Sequence, residues 1–321
     1  MEVRHDFHDR EALYLSRKHN LLFALYVLLG VFALSTSAIF VKLSSAPAPI
    51  TALYRMFFSF ILLLPFLLIV PNALADLRKI TRKQWIWGSL SGAFIAVHYL
   101  LWFESLLFTS VASSTVLVTL QPLFAFIGGY LIYGERLRKV AVSGGVLSIV
   151  GSVIIGWGDM QLGEAALYGD ILALLGAAAI TAYFLIAQNV RKHMSLVPFG
   201  IIVYSTSSLF LLAYCLMMQA PLVGYPASDW LCFLGLAIIP TLMGQTIFNW
   251  LIKWLSASTI SMSILGEPIG TCLLAYLIWG ESITLPQALG SCVIFIGIYI
   301  FLRFNKSGNA DGISENKEKS L

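Results

Sequence analysis

Apolar residues are concentrated in ten long stretches, separated by short segments that carry most of the charge. Each stretch has about 20 predominantly apolar residues, the length with which a helix crosses roughly 30 Å of hydrocarbon. The pattern therefore predicts an all-α integral membrane protein with ten transmembrane helices. The predicted spans are residues 21–43, 49–69, 85–107, 111–132, 139–157, 168–190, 197–218, 229–252, 258–279 and 286–304.

The second half of the chain repeats the first at an offset of 146 residues, with five predicted spans in each copy. Identical residues recur without an insertion, including Leu28-Leu29-Gly30 with Leu174-Leu175-Gly176, Pro122 with Pro268, Gly144 with Gly290 and Gly151 with Gly297. This repeat predicts a domain organisation of five parts: an amino-terminal tail (1–20), repeat 1 (21–157), a linker (158–167), repeat 2 (168–304) and a disordered carboxyl-terminal tail (305–321).

The basic residues sort almost entirely to one side of the membrane. Eighteen of the 20 Lys and Arg residues lie in the two tails or in the loops after even-numbered spans. Because Lys and Arg are enriched in cytoplasmic loops, both termini are predicted to be cytoplasmic and the linker external. An odd number of spans in each copy then makes the repeats inverted, so we expect two inverted five-helix repeats around a central cavity.

Composition excludes several classes of function. Apolar residues make up 59% of the chain and charged residues 11%, against about 25% charged in an average globular domain. The net charge of +4 is explained by membrane topology, so it does not indicate a nucleic-acid partner. No Gly-rich phosphate loop, catalytic triad or His/Cys ligand cluster is present, so we expect neither an enzyme nor a cofactor or metal site.

Polar residues in the middle of two spans are the first candidates for a binding site. Glu267 lies in span nine directly before Pro268, and its repeat counterpart Gln121 lies in span four directly before Pro122. An ionisable group at this depth costs about 2.5–3.5 kcal/mol, so it faces a cavity or a partner. Proline breaks the helix at both places. We favour a substrate or proton site for Glu267 over a structural role, whereas for Gln121 interhelical hydrogen bonding is favoured over substrate binding.

A second group of candidates lies on spans three and eight. His98 and Trp102 are one helical turn apart on span three, with Tyr99 beside them, and Gln245 and Asn249 are one turn apart on span eight. Aromatic rings facing amides would suit small amphiphilic metabolites. Packing or interfacial anchoring is the alternative for the aromatic residues.

Arg55, in the outer half of span two, allows two interpretations. It is either a fixed counter-charge for Glu104 or Glu267, which we favour, or a group that binds anionic substrates, since its guanidinium matches carboxylate and phosphate. Glu104 lies near the outer end of span three and is interpreted as interfacial, with Arg55 as a candidate partner.

Several of these features resemble the EamA-type transporters of the drug/metabolite transporter superfamily. The resemblance rests on the ten spans, the duplication, the Tyr54-Arg55-Met56-Phe57 start of span two, and the repeated Pro-x(11)-Gly-Glu element that ends at Glu135 and Glu281. It covers residues 21–304 and implies two EamA domains, a basket of helices around a central cavity, and transport, often export, of small metabolites or amino acids. The pairing of Glu267 with Gln121 makes the two copies chemically unequal, and the family assigns neither residue a fixed role.

The sequence thus predicts a secondary transporter of the cell (inner or plasma) membrane that works by alternating access, with the two halves rocking around the cavity. The small-molecule substrate and the lipid bilayer are its expected partners, and the proton is the candidate coupling ion, carried by Glu267. A flippase-type carrier of lipids or lipid precursors on the same scaffold is the alternative. The substrate and the oligomeric state are left open.

Overall fold

The computed structural model describes residues 3–109, 111–157, 164–280 and 285–305, with side chains from residue 22 onward. Within these ranges the fold is all-α, as the hydrophobic pattern predicts, and the described residues contain no strand. Eight helices are long and apolar enough to cross a membrane, and two shorter apolar helices, Lys139–Ile154 and Ala288–Phe304, complete the ten predicted spans.

Six of the predicted spans are single helices and four are divided. The single helices are α1 (Val3–Leu43), α5 (Arg82–Phe108), α8 (Lys139–Trp157), α9 (Glu164–Val190), α10 (Leu196–Met217) and α15 (Leu285–Asn305), which form spans 1, 3, 5, 6, 7 and 10. The divided spans are span 2 (α2, Ala48–Leu63, and α3, Phe66–Ile69), span 4 (α6, Val111–Val118, and α7, Gln121–Tyr133), span 8 (α11, Ala227–Leu236, a π-helix, Ala237–Gln245, and α12, Thr246–Leu251) and span 9 (α13, Ala257–Ile264, and α14, Glu267–Trp279). A short helix, α4 (Ala73–Arg78), connects spans 2 and 3.

Two boundaries differ from the sequence prediction. Helix α1 begins at Val3, inside the segment predicted as a tail, and α9 begins at Glu164, four residues before the predicted start of span 6. Hydropathy detects only the part of a helix that lies in hydrocarbon, whereas backbone hydrogen bonds continue into polar flanks. Glu164 in the first turn of α9 also interacts favourably with the helix dipole. Most of the predicted linker (158–163), Glu281 and nearly all of the carboxyl-terminal tail (306–321) lie outside the described residues.

Spans 5 and 10 show directly that the two repeats are inverted. These spans are repeat counterparts, and they meet through backbone-close glycines: a Cβ atom on Gly144 would lie 2.7 Å from the Gly297 carbonyl oxygen, and one on Gly151 would lie 2.7 Å from that of Gly290. Between these contacts, the Ser148 hydroxyl donates to the carbonyl of Ile294, 146 residues away. Earlier residues of one helix meet later residues of the other, so the helices are antiparallel and a pseudo-two-fold axis passes between them.

The two halves interlock rather than pack as separate bodies. Span 1 packs against spans 8 and 9 of the second half, and its counterpart span 6 packs against spans 3 and 4 of the first half. Spans 2 and 7 pack against each other. Each half therefore holds a helix of the other half in its core.

The repeated Gly-Glu element has a structural explanation at the ends of α7 and α14. Gly134 and Gly280 cap these helices with φ values of 65° and 66°, a left-handed conformation that glycine adopts without steric cost. The Glu135 carboxylate accepts hydrogen bonds from Gln188 Nε2 and Ser258 Oγ, both at 2.9 Å. It thereby ties the end of span 4 to spans 6 and 9.

Candidate functional site

The breaks in spans 4 and 9 lie at the two predicted proline positions. Helix α6 ends at Val118 and α7 begins at Gln121, while α13 ends at Ile264 and α14 begins at Glu267. In each case the proline is the second residue of the new helix, where its missing N–H group costs no hydrogen bond. The polar side chain before each proline thus lies at a helix start inside the protein rather than within a continuous helix.

A central cavity of about 30 Å³ lies between the broken helices. Seven of the residues predicted from sequence line it, on spans 2, 3, 4, 8 and 9. The lining comprises these seven, Arg55, His98, Tyr99, Trp102, Gln121, Gln245 and Glu267, with Ser37 and the apolar side chains of Leu34, Val118, Ile180, Phe184 and Ile264. This volume admits a few water molecules, whereas small-molecule sites commonly measure about 300–1,000 Å³. The site must widen before it can hold a metabolite.

Glu267 is held by its backbone, which leaves its carboxylate at the cavity. The Ser35 hydroxyl of span 1 donates to the Glu267 carbonyl at 3.1 Å, and the Thr271 hydroxyl donates to the Ser35 carbonyl at 3.3 Å. Only 7% of the Glu267 residue is exposed. A carboxyl group fixed in this way interacts with whatever enters the cavity and with the charge opposite it.

Arg55 is almost fully buried, with 1% of the residue exposed, and is held by neutral groups. Its Nε donates to Thr241 Oγ1 at 2.9 Å and its Nη1 to Ser37 Oγ at 2.6 Å. The guanidinium carbon also lies 4.1 Å from the centre of the Tyr99 ring, within the range of a cation–π interaction. Glu267 is the acidic residue whose charge acts on Arg55.

The π-helix in span 8 builds part of this support. Pro240 lies within it, and the wider turn leaves carbonyl groups that need donors. The Thr241 hydroxyl donates to the Leu236 carbonyl at 2.8 Å while it accepts the hydrogen bond from Arg55. Sequence reasoning missed Ser37, Thr241 and this π-helix; the one available signal was a proline within an apolar span.

His98 and Trp102 form a stacked pair on span 3, with ring centres 5.8 Å apart and planes inclined by 20°. The His98 Nδ1 atom is 3.0 Å from the carbonyl oxygen of Gly176 on span 6, which fixes the imidazole ring. The Tyr99 ring lies beside His98 and contacts the guanidinium of Arg55. These aromatic residues of span 3 thus both pack against span 6 and line the cavity.

Three cavity-lining polar atoms are buried without a hydrogen-bond partner among the described residues. They are the indole nitrogen of Trp102, the amide oxygen of Gln121 and the amide nitrogen of Gln245. A buried polar group without a partner costs about 1–3 kcal/mol, so such groups call for an explanation. Three of the seven such atoms among the described residues lie at this one cavity, which makes it the candidate binding site.

Two predicted site residues lie elsewhere. Asn249 does not line the cavity: its side-chain oxygen accepts a hydrogen bond from the Tyr183 hydroxyl, and its carbonyl accepts one from Arg191 Nε at 2.9 Å. Glu104 is half-buried and also lies outside the cavity lining. The candidate pairing of Arg55 with Glu104 is corrected accordingly, since the side-chain hydrogen bonds of Arg55 go to Ser37 and Thr241 and the acidic residue that shares the cavity lining with it is Glu267.

An inverted five-helix duplication around a polar mid-membrane cavity is the architecture of a membrane transporter. The sequence profile of the EamA-like transporter family matches residues 21–157 and 167–303. The chain therefore belongs to the EamA-like transporter family of multi-pass membrane proteins.

Individual relatives are distant. An uncharacterized transporter of Archaeoglobus fulgidus is 25% identical over 280 residues, which cover 86% of this chain and 95% of that protein. The aromatic amino acid exporter YddG of Ancylobacter novellus is 25% identical over 175 residues, covering 54% of this chain and 59% of the exporter. A probable amino-acid metabolite efflux pump of Salmonella typhimurium is 24% identical over 198 residues, covering 58% of this chain and 66% of the pump.

A solved crystal structure of a protein shares the fold. It superposes with a TM-score of 0.72 at 19% sequence identity, over 88% of this chain and 97% of the other. At this identity the likeness concerns the arrangement of helices.

Proposed function

We propose that this protein is a secondary transporter of the plasma membrane that exports small metabolites or amino acids by alternating access. The observation that carries the proposal is the juxtaposition, in one mid-membrane cavity, of the Glu267 carboxyl group, the Arg55 guanidinium and the unpartnered polar atoms of Trp102, Gln121 and Gln245. Two relatives that carry names of amino-acid exporters support the direction and the substrate class.

Alternating access is supported by the size of the site and by its symmetry. A cavity of about 30 Å³ must open to take up a metabolite, and inverted repeats supply two related conformations that open to opposite sides. Spans 1 and 6 are exchanged between the halves, so the moving bodies each combine helices from both repeats. We propose that both termini face the cytoplasm and that the linker of residues 158–167 is external.

Glu267 is proposed to carry the coupling proton. Its carboxyl group lines the cavity, and the substrate and the proton compete for it: a protonated carboxyl does not attract a cationic group, whereas an ionised one does. Because Glu267 binds either a proton or the substrate but not both, one external proton is exchanged for one substrate molecule. The chain offers no second acidic side chain in the lining of this cavity among the residues that the structure describes.

The test is efflux from cells and flux into proteoliposomes, compared for the wild type, Glu267→Gln and Glu164→Gln. Glu164 is an exposed residue at the start of α9, so its variant makes the same chemical change away from the cavity. A metabolite and toxicity screen in overexpressing cells supplies the substrate. Coupled flux should vanish in Glu267→Gln, with unchanged thermal stability, and persist in Glu164→Gln.

Coupled flux that persists undiminished in Glu267→Gln would refute proton coupling through this residue. The lipid-carrier alternative has its own arm: the same proteoliposomes with a fluorescent phospholipid in one leaflet. Translocation of that lipid at the rate of the metabolite would replace the proposed function by a flippase activity.

A further inference from the structure

The cavity offers both hydrogen-bond donors and hydrogen-bond acceptors to a bound molecule. Hydrogen-bond donors are the Arg55 guanidinium, the Trp102 indole nitrogen and the Gln245 amide nitrogen. Acceptors are the Glu267 carboxyl and the Gln121 amide oxygen. Trp102, Gln121 and Gln245 are each at most 4% exposed, so the atoms without partners are buried ones that only a molecule inside the cavity, water or ligand, can reach.

Arg55 is positioned as a binding group rather than neutralised as a structural counter-charge. Two of its five N–H donors are used by the hydroxyl groups of Thr241 and Ser37, which fix the plane of the guanidinium without cancelling its charge. The ring of Tyr99 covers one face. A planar guanidinium with free donors is the group that binds a carboxylate through two parallel hydrogen bonds.

The two formal charges of the cavity are of opposite sign. An ion enters a low-dielectric site at a large cost unless opposite charge compensates it. A purely anionic ligand would satisfy Arg55 and oppose Glu267, whereas a purely cationic ligand would do the reverse. A ligand that carries both charges and no net charge complements both groups at once.

We infer that the substrate is a free zwitterionic amino acid with an uncharged side chain, a conclusion that rests on the proposed transport function. Its carboxylate binds Arg55, assisted by the donors of Trp102 and Gln245, and its ammonium group binds Glu267 and the Gln121 oxygen. Five further lining residues are apolar (Leu34, Val118, Ile180, Phe184 and Ile264), which favours an apolar side chain.

The first test is the thermal stability of the purified full-length protein in detergent with each of the 20 proteinogenic amino acids. For the amino acid that stabilises most, the amide lacks the carboxylate and the desamino acid lacks the ammonium group. We expect each of these analogues to bind at least about tenfold more weakly than the amino acid. Glycerophosphoethanolamine, a zwitterionic headgroup analogue, should give no stabilisation.

The second test is a change of preference rather than a loss. Glu267→Gln leaves Arg55 as the one formal charge in the lining, so the desamino acid should bind this variant better than the amino acid does. Arg55→Met leaves Glu267, so the amide should become the preferred ligand. Arg82→Gln, at an exposed position of α5, should keep the wild-type order. If Arg55→Met does not fold, the change of ligand preference in Glu267→Gln tests the inference by itself.

Equal binding of the amino acid and its two analogues, an unchanged preference in Glu267→Gln, stabilisation by the headgroup analogue alone, or no response to any amino acid would overturn the zwitterion inference. Transporter function is judged separately by coupled efflux. If no amino acid binds but Glu267→Gln abolishes efflux of another metabolite, the inference fails and the proposed function stands. If coupled efflux is also unaffected, both fail.

Discussion

The hydroxyl group of Ser35 donates a hydrogen bond to the backbone carbonyl of Glu267 at 3.1 Å, which joins span 1 to the break in span 9. The repeat counterparts make the same bond: the Thr181 hydroxyl donates to the Gln121 carbonyl at 3.3 Å. Each bond crosses between the sequence halves. The start of each broken helix is therefore anchored to a long helix of the opposite repeat, so movement at the site is coupled to spans 1 and 6.

Loss of the Ser35 hydroxyl should destabilise the protein and disturb the site. We expect Ser35→Ala to lower the free energy of unfolding by about 0.5–1.5 kcal/mol, the usual net value of one hydrogen bond, and to lower the transport rate. The measurement is thermal unfolding in detergent together with flux. Ser143→Ala is the matched control, because that exposed hydroxyl bonds to Val140 within its own helix; an equal effect there would contradict the anchoring role.

Thr241 should prove important for ligand binding through its hydroxyl group rather than its shape. Thr241→Val keeps the volume but removes both the support of Arg55 and the donor to the Leu236 carbonyl. We expect ligand affinity to fall at least about tenfold and the unfolding free energy to fall by about 1–3 kcal/mol. Thr241→Ser retains the hydroxyl and should restore affinity. If valine and serine behave alike, Arg55 does not depend on Thr241.

The contact between spans 5 and 10 should not tolerate a methyl group. In Gly144→Ala the new Cβ would lie 2.7 Å from the Gly297 carbonyl oxygen, so the helices must separate, at a cost of about 1–3 kcal/mol. Gly176→Ala is the comparison, because its Cβ would meet its nearest neighbour at 3.6 Å, an ordinary contact. The measurement is thermal unfolding of the two variants. Equal stability would contradict the close packing of spans 5 and 10 described above.

The proposed topology predicts the outcome of reporter fusions. Alkaline phosphatase, which folds only outside the cytoplasm, should be inactive when fused after Leu321 and active when inserted within residues 158–167. A fluorescent protein that matures in the cytoplasm should give the reverse result. An active phosphatase at the carboxyl terminus would place that end outside and reverse the proposed orientation.

Much of the fold follows from local chemistry. Ten apolar segments, two prolines in the middle of spans and the Gly-Glu helix ends are read from neighbouring residues, because hydropathy, a missing N–H group and a left-handed glycine are local properties. The 146-residue offset extends this to symmetry, since inversion follows from an odd number of spans. The same features identified Glu267 as a polar group at the wrong depth for lipid.

Which side chains converge was decided by the tertiary structure. Gln245 lines the cavity, whereas Asn249, one turn away, is absent from the lining and accepts a hydrogen bond from the Tyr183 hydroxyl. Arg55 lines the same cavity as Glu267 while Glu104 lies outside it, because Ser37 of span 1 and Thr241 of span 8 hold the guanidinium there. These contacts join residues far apart in the chain, and no periodicity within one span encodes them. The sequence by itself determined the spans, their duplication and the polar residues that lipid would reject. Which of these polar residues lie in one cavity was decided by packing between helices, including the exchange of spans 1 and 6 between the halves, because only that packing brings side chains of distant spans together.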